Sequence, residues 1–540
     1  MKKGITILLL VVALINVLAY CVICRWDMTD DKRYTLSTPT KKLLENLDSP
    51  LKVTVLLDGD LNFGFMRLKT AVNELLDEFS IYTTDDIIRI QTDASIVKNL
   101  EPVVIHERTH KGKMAQTTVY PYAIVEYNGK KRIVNLLQNQ RGLNGEENLN
   151  NSIENLEYSL IDAIRAISQT TVDKVAFLEG HGELEERDVY DLTQLLAQYY
   201  QVDRGRLGNE VGVLDDYAAV IIADPQLPFS EEDKYILDQY IMQGGRVLWV
   251  VNGVKFSSDF LATNGVTPVV ALDLDLNDMF FRYGVRINHG LVQDLQCLPV
   301  PVDVSVNSQQ PNWQPMPWTY APLLLTSQQS SITRNVAQLS ATMVSAIDMV
   351  GEDDGIRKNV LLATSSASKF TAVPAEVDLS LGVDNEQSFQ YSFIPVGVSL
   401  EGEFASLYAH LGAPETVVAK NSTQKKSVPT RQIVVAAGST IRNEWYKNQP
   451  LPLGFDRYTK TQFGNRDFML NAVLYLTDNE GWLSLRQKEI SLRLINDQRA
   501  QSARVLAQVI SIIVPLAILA VLGGIIYLSR KRKYVKNLYR

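Results

Sequence analysis

Apolar and polar positions along this chain switch repeatedly between the period of a strand and that of a helix. "LKVTVLLDGD" reads as a strand running into an acidic turn. Leu68, Val72, Leu75, Leu76 and Phe79 then share one helical face, and "IIRIQTD" follows as a second strand. Strand, helix, strand is the mark of an α/β layer. Ahead of it, Thr38 is placed to cap a helix with Pro39 at its first position and Leu43, Leu44 and Leu47 as its stripe. "YPYAIVEYNGKKRIVNLL" reads as a hairpin turning at Asn128-Gly129, and a helix from about Ile153 to Ile167 closes this first unit.

A second alternation begins at Lys174. The strand Lys174 to Glu179 precedes a helix carrying Leu192, Leu195, Leu196 and Tyr199, then the fully apolar "AAVIIAD". Ser230 caps the next helix, with Glu231, Glu232 and Asp233 in its first turn; Gly244-Gly245 ends it and "RVLWVV" follows. Continuous apolar strands between amphipathic helices predict a doubly wound α/β fold with a parallel sheet. Residues 300–335, rich in Gln, Ser and Pro, read as a long surface excursion in which Trp313, Trp318 and Tyr320 need cover, and "NVLLATS" and "RQIVVAAG" return to the sheet.

The two ends differ from everything between them. Ile5 to Cys24 and Val509 to Leu528 are apolar runs of the length that spans a bilayer. No small-x-small site follows the first, so an uncleaved anchor is expected. Arg530, Lys531, Arg532, Lys533, Lys536 and Arg540 after the second, and Lys2 and Lys3 before the first, place both termini in the cytoplasm and the large middle region in the periplasm of a two-span inner-membrane protein. The expected organisation is an anchor (1–30), a first α/β domain (31–168), a second (169–445), a helical segment leading to the membrane (446–504), and the second span with its basic tail (505–540).

Charge narrows the partners. The formal charge is −8, and the eight cations just named lie at the termini, so the remainder carries about −16 and repels nucleic acid. Cys21 and Cys24 fall in the first span and Cys297 stands alone, so no disulfide is expected in the outer region.

Candidate chemistry concentrates at strand ends. In a doubly wound sheet ligands bind outside the carboxyl ends of the strands. Three such ends are readable: Gly180-His181-Gly182-Glu183, Asp224, and Asn252. Together they would line one ligand-binding edge; the alternative is a tight turn whose histidine packs on its own loop. A catalytic centre there lacks a nucleophile. "HERTH", His106 to His110, matches H-E-x-x-H, but Pro102, Val103, Val104 and Ile105 before it and Lys111-Gly112-Lys113 after it give a strand and a turn. Metalloprotease chemistry needs a helix to aim both imidazoles at one ion, so no metal is expected. Ser366 and Lys369 match S-x-x-K without companion motifs, and no P-loop occurs. In the spans, Asn16 gains from a polar partner on another helix, and Gly523 and Gly524 leave room for close helix approach.

Several segments together, "RYTLS", "LLDEFS", "FLEGHGE", "DPQLPFSEEDKYILDQYIMQGGRVLWVVNGV", "LNDMFFRYGVRIN", "LVQDLQC", "LEGEFASLY", "PLGFDRYTKTQFGNRDFMLNAVLYL" and "LRQKEISLRLI", resemble the membrane-anchored auxiliary component of gliding-motility-associated ABC transporters, the GldG type of Bacteroidetes. The resemblance implies glutamine-amidotransferase-like or flavodoxin-like ectodomain units working beside a separate membrane permease and a separate cytoplasmic ATPase, with a link to gliding or type IX secretion. It supplies no catalytic residues and no cofactor. Where relatives tend to carry an Asp-Gly-Asp turn, this chain has Ala437-Gly438-Ser439, which argues against an ion-binding role for that loop. The expected function is a non-enzymatic extracytoplasmic subunit of an ABC-transporter complex that binds an envelope protein or small ligand. The alternatives are a hydrolase or amidotransferase relative using His181 and Glu183, or a purely mechanical scaffold.

Overall fold

The computed structural model describes residues 35–538 apart from 60, 86, 92–99, 101, 109–113, 139–144, 169–171, 304–311, 352–354, 380–385, 419–421, 480 and 484–496. Asn16, the first apolar run, Cys21, Cys24 and His110 lie outside the described residues. The chain is a mixed α/β structure in two compact units, residues 1–488 and 489–540.

The large unit opens with α1 (Thr38–Glu45), β1 (Lys52–Val55), α2 (Phe63–Phe79) and β2 (Ile88–Gln91). Ser37, one residue before the expected Thr38, caps α1: its hydroxyl accepts from the Thr40 amide, and Pro39 sits in the first turn where a missing N–H costs nothing. Leu68, Val72, Leu76 and Phe79 of α2 are buried. A hairpin, β3 (Val103–Arg108) and β4 (Met114–Val119), places His106 opposite Gln116 on extended backbone, which is incompatible with a helical H-E-x-x-H site. β5 (Tyr122–Tyr127) and β6 (Lys130–Asn135) turn at Asn128 (φ 48°) and Gly129 (φ 79°). They complete a four-stranded sheet in the order β2-β1-β5-β6. The helix expected from Ile153 to Ile167 is two, α3 (Gly145–Glu154) and α4 (Leu156–Ser168). The break is at Asn155, whose side-chain and backbone amides both donate to the Asn151 carbonyl.

The large sheet is built from β7 (Lys174–Glu179), β8 (Gln201–Arg206), β9 (Tyr217–Ala223), β10 (Val247–Val250), β11 (Cys297–Asp303), β12 (Trp313–Thr326), β13 (Ile356–Ala363), β14 (Pro395–Gly402) and β15 (Thr430–Val435). Their order is β11-β12-β13-β14-β15-β10-β9-β7-β8. The five strands from β15 to β8 are parallel, and the rest are antiparallel. Alternate residues of the four inner parallel strands, β7, β9, β10 and β15, enter two cores. Val175, Phe177, Ala219, Ile221, Leu248 and Val250 meet α5 (Tyr190–Leu196) and a late helix, α7 (Asn465–Thr477). On the opposite face Leu178, Val220, Ile222, Val247 and Trp249 meet α6 (Glu231–Met242). Helices therefore cover both faces, which is why these strands read as unbroken apolar runs. The first core continues through Leu76, Phe79, Ile161 and Ile164, so the small and large sheets share one apolar interior.

Two stretches differ from expectation. The proline-rich excursion is mostly the hairpin β11/β12, with Trp318 buried and Tyr320 half-buried. The segment after residue 445 opens with two short hairpins rather than a helix: β16 (Trp445–Tyr446) with β17 (Gln449–Pro450), and β18 (Phe455–Asp456) with β19 (Thr461–Gln462). The smaller unit carries one helix, α8 (Asp497–Leu538), within which Val509–Ser529 is long and apolar enough to cross a membrane. Gly523 and Gly524 lie on α8 with open space where a Cβ would be.

Candidate functional site

The parallel strands β7, β9 and β10 end side by side, so the loops after them form one edge, and the first two loops begin with left-handed backbone. Gly180 (φ 130°) and Gly182 (φ 73°) follow β7, and Asp224 (φ 52°) follows β9. A Cβ on Gly182 would press on Gln226 Cβ at 3.3 Å, so glycine there serves close approach of two loops as well as the turn.

His181 is buried between two carboxylates. Its Nδ1 lies 3.0 Å from Glu183 Oε1 and its Nε2 3.1 Å from Asp233 Oδ2, while its backbone N–H donates to Glu183 Oε2 at 2.7 Å. The ring stacks on Phe229 at 3.6 Å between centroids and 10° between planes. Its carbonyl accepts from the amides of Gln226 and Leu227, which ties the first loop to the second. Burial opposes a charge on this ring, but hydrogen bonds to Asp233 and Glu183, reinforced by their charges, outweigh it and push the imidazole up to about 9. At neutral pH it is an imidazolium with both N–H groups engaged. Asp233 also accepts from Ser230, the cap of α6, so the histidine is anchored to a helix N-terminus. A ring so held has no nitrogen left to take a proton from a substrate.

Asp224 and Asn252 form a second knot. The Asn252 side-chain amide donates to Asp224 Oδ1 at 3.0 Å, and its oxygen accepts from the Gly438 amide at 3.0 Å. A Cβ on Gly438 would lie 2.0 Å from Asp224 Oδ1, so the loop after β15 passes directly over the carboxylate. Burial raises the Asp224 carboxyl to about 6, against the pull of Arg442 and the Asn252 hydrogen bond. The structure thus brings Gly180, His181, Gly182, Glu183, Asp224 and Asn252 to one edge, in two internally bonded groups rather than one open pair of reactive groups. Among the described residues no group of three His, Cys, Asp or Glu side chains is placed to hold a metal ion.

Three features had no sequence signal. Lys234 is buried within α6 and meets Glu231 at 2.5 Å, Asp275 at 3.2 Å and Asp278 at 3.3 Å, joining α6 to the bend at Asp275 and the first turn of the helix Asn277–Arg282. Asp238 accepts from Ser406, the Leu407 amide and Tyr283 in the second core. A cavity of about 490 Å³ is lined by Asp48, Tyr127, Arg165, Tyr199, Tyr200 and Trp482 among others. Its walls come from separate stretches of chain that only the tertiary fold brings together.

Residues 173–472 match the family described as "ABC-type uncharacterized transport system", and residues 30–126 match a domain of unknown function (DUF7088). None of the curated proteins compared with the chain matches it. Among solved structures, a chain titled "mmIFT52 N-terminal domain" is similar at 14% identity over 57% of this chain and 99% of that one, with a TM-score of 0.31, too low to carry an argument.

Proposed function

The chain belongs to the family described as ABC-type uncharacterized transport system, and from that premise we propose that it is a non-enzymatic accessory subunit that docks a partner at the carboxyl edge of its parallel strands. The observation that carries this reading is His181, clamped on both nitrogens at the position where an open reactive group would be needed for catalysis. We place the helix within Val509–Ser529 across the inner membrane, the cations from Arg530 onward in the cytoplasm, and the large unit in the periplasm. Ile5 to Cys24 serves as the second span, with Asn16, Gly523 and Gly524 facing membrane partners. The partners are a separate permease and a separate cytoplasmic ATPase.

The finer reading is a GldG-type protein of Bacteroidetes, linked to gliding motility or type IX secretion, and it rests on the sequence resemblance. Five parallel strands with helices on both faces support a flavodoxin-like or glutamine-amidotransferase-like second domain over 169–445, after a first α/β domain over 31–168.

Affinity purification of the tagged full chain from detergent is expected to bring down the permease and ATPase in fixed proportion; purification of the chain alone in several mild detergents overturns the reading. A second reading, a subunit that also holds a small polar ligand, is favoured by the cavity beside Arg165. Native mass spectrometry of the purified protein would reveal a retained small molecule, and a bare mass under gentle release removes this option.

A further inference from the structure

Beside the edge, the two short hairpins present a surface of rings and cations. Their tips need left-handed backbone: Lys447 (φ 48°) and Asn448 (φ 61°) in the first, and Lys460 (φ 52°) in the second. Lysine is uncommon in that region, so each tip holds a cation where asparagine or glycine would sit more easily. The hairpins are fastened to the loop after β7. The Asn443 amide donates to the Asp188 carbonyl at 2.6 Å and the Asp191 amide to Asn443 Oδ1 at 3.0 Å, while Asp191 Oδ2 accepts from the Leu453 amide and from Arg466 Nε, each at 3.0 Å.

Their outer face is rings and cations. The Arg187 guanidinium lies 4.6 Å from the Trp445 ring, with Tyr190 6.2 Å from it on another side. Arg457 lies 4.7 Å from Tyr458 and 5.9 Å from Tyr446, and Lys447 lies 5.2 Å from Tyr446. Tyr190, Tyr446 and Tyr458 are 38%, 47% and 54% exposed. Among the described residues, no carboxylate pairs with Arg187, Lys447 or Arg457. Acids border this face without closing an ion pair on these cations: Glu185 and Glu186 are exposed just before Arg187 in the chain, the Arg457 charge pulls on the Glu444 carboxyl that burial raises, and Asp456 accepts from the Tyr458 and Thr459 amides. Three cations without an ion-pair partner, Arg187, Lys447 and Arg457, are thus kept beside these rings on a region that carries about −16 overall.

A guanidinium resting on a ring still turns its N–H edge outward, a fork matched to carboxylates. Tyr, Trp and Arg together are also the residues that dominate protein-docking energies. A lipid surface would call for exposed Leu, Phe or Ile to enter the acyl boundary, and the exposed large side chains of this face are tyrosines. We propose that the Arg187–Trp445–Tyr446–Arg457 face docks a carboxylate-rich, extended segment of a partner protein. This rests on the reading of the chain as an assembly subunit and names the kind of surface that subunit grips.

The test uses the full chain in detergent and a fluorescein-labelled peptide of glutamates interleaved with glycines, with a lysine counterpart as control. The glutamate peptide is expected to bind, to release on raising salt, and to lose affinity about tenfold or more in Arg187→Gln/Arg457→Gln and measurably in the exposed-tip variant Lys447→Gln. Arg357→Gln, at an exposed cation elsewhere that pairs with Glu401, is expected to bind as the parent does. No binding of the glutamate peptide, equal binding by all variants, or equal binding of the lysine peptide would overturn the proposal. If the permease and ATPase still co-purify while the peptide fails, this inference falls alone; if neither binds, the subunit reading falls with it.

Discussion

His181 carries a pH signature that separates a structural ion cluster from a working base. Its folded value, about 9, lies above the ordinary 6.5, so its contribution to stability is complete below pH 6.5 and is lost as pH rises through 9. The melting temperature of the large unit should fall across that window, and His181→Gln should flatten part of the fall. The same variant strands two carboxylates and is expected to lower stability at pH 7 by ~1–3 kcal/mol in chemical denaturation. Asp224 acts at lower pH: a carboxyl raised from 3.8 to about 6 binds its proton more tightly when folded, so stability declines as pH climbs from 3.8 to 6. Asp224→Asn should remove that contribution, read as an unfolding midpoint that gains on the parent's as pH climbs from 4 to 6. The glycines and histidine of this loop were legible because their types are unusual after an apolar strand. Asp233, fifty-two positions from His181, was read only as a helix-dipole residue, since nothing local marks it as the histidine's partner.

At the level of elements, Trp249 shows how tightly the central strand is specified. It is fully buried in β10, packs edge-on against Phe280 at 5.1 Å, and its indole N–H donates to Gln432 Oε1 on the adjacent β15. Trp249→Ala is expected to reduce unfolding free energy by ~3–5 kcal/mol, more than an average core truncation, because a buried amide also loses its partner. Gly438→Ala should weaken the fold by ~1–3 kcal/mol, as the new methyl collides with Asp224; a crystal structure of that variant would show the loop after β15 displaced. β7, β9 and β10 are readable because each is buried on both faces, whereas β8 is not, since "QVDRGR" sits at the sheet margin, exposed or half-buried throughout and without an apolar pattern. β14 went unread although "PVGVSLEG" is plainly extended, because it returns antiparallel between β13 and β15 after a stretch without periodicity. The hairpins after residue 445 were missed for a related reason: two-residue strands are too short to display a period, and only positive φ at their tips marks them.

For the whole molecule, the sequence indicated an apolar helix near the C-terminus and an α/β body but not how the small and large sheets share one core, which depends on contacts between residues far apart in the chain. Protease added to intact spheroplasts should digest the large unit and spare the tail beyond Arg530, with the reverse in inverted vesicles; the opposite pattern would place the acidic body in the cytoplasm. One margin of the sheet has a consequence for such a tethered molecule. On β11, Pro299 and Pro301 lie opposite Pro317 and Pro315 of β12. Two prolines facing each other cannot exchange hydrogen bonds, so these are the non-bonded pairs of the ladder, and the missing N–H groups of the outermost strand are those that would point away from the sheet. Proteins confined to a membrane plane crowd together, and an open strand would invite neighbouring copies to zip into fibrils. Proline capping denies them a donor row, and Pro299→Thr/Pro301→Thr should yield concentration-dependent aggregates that stain with thioflavin.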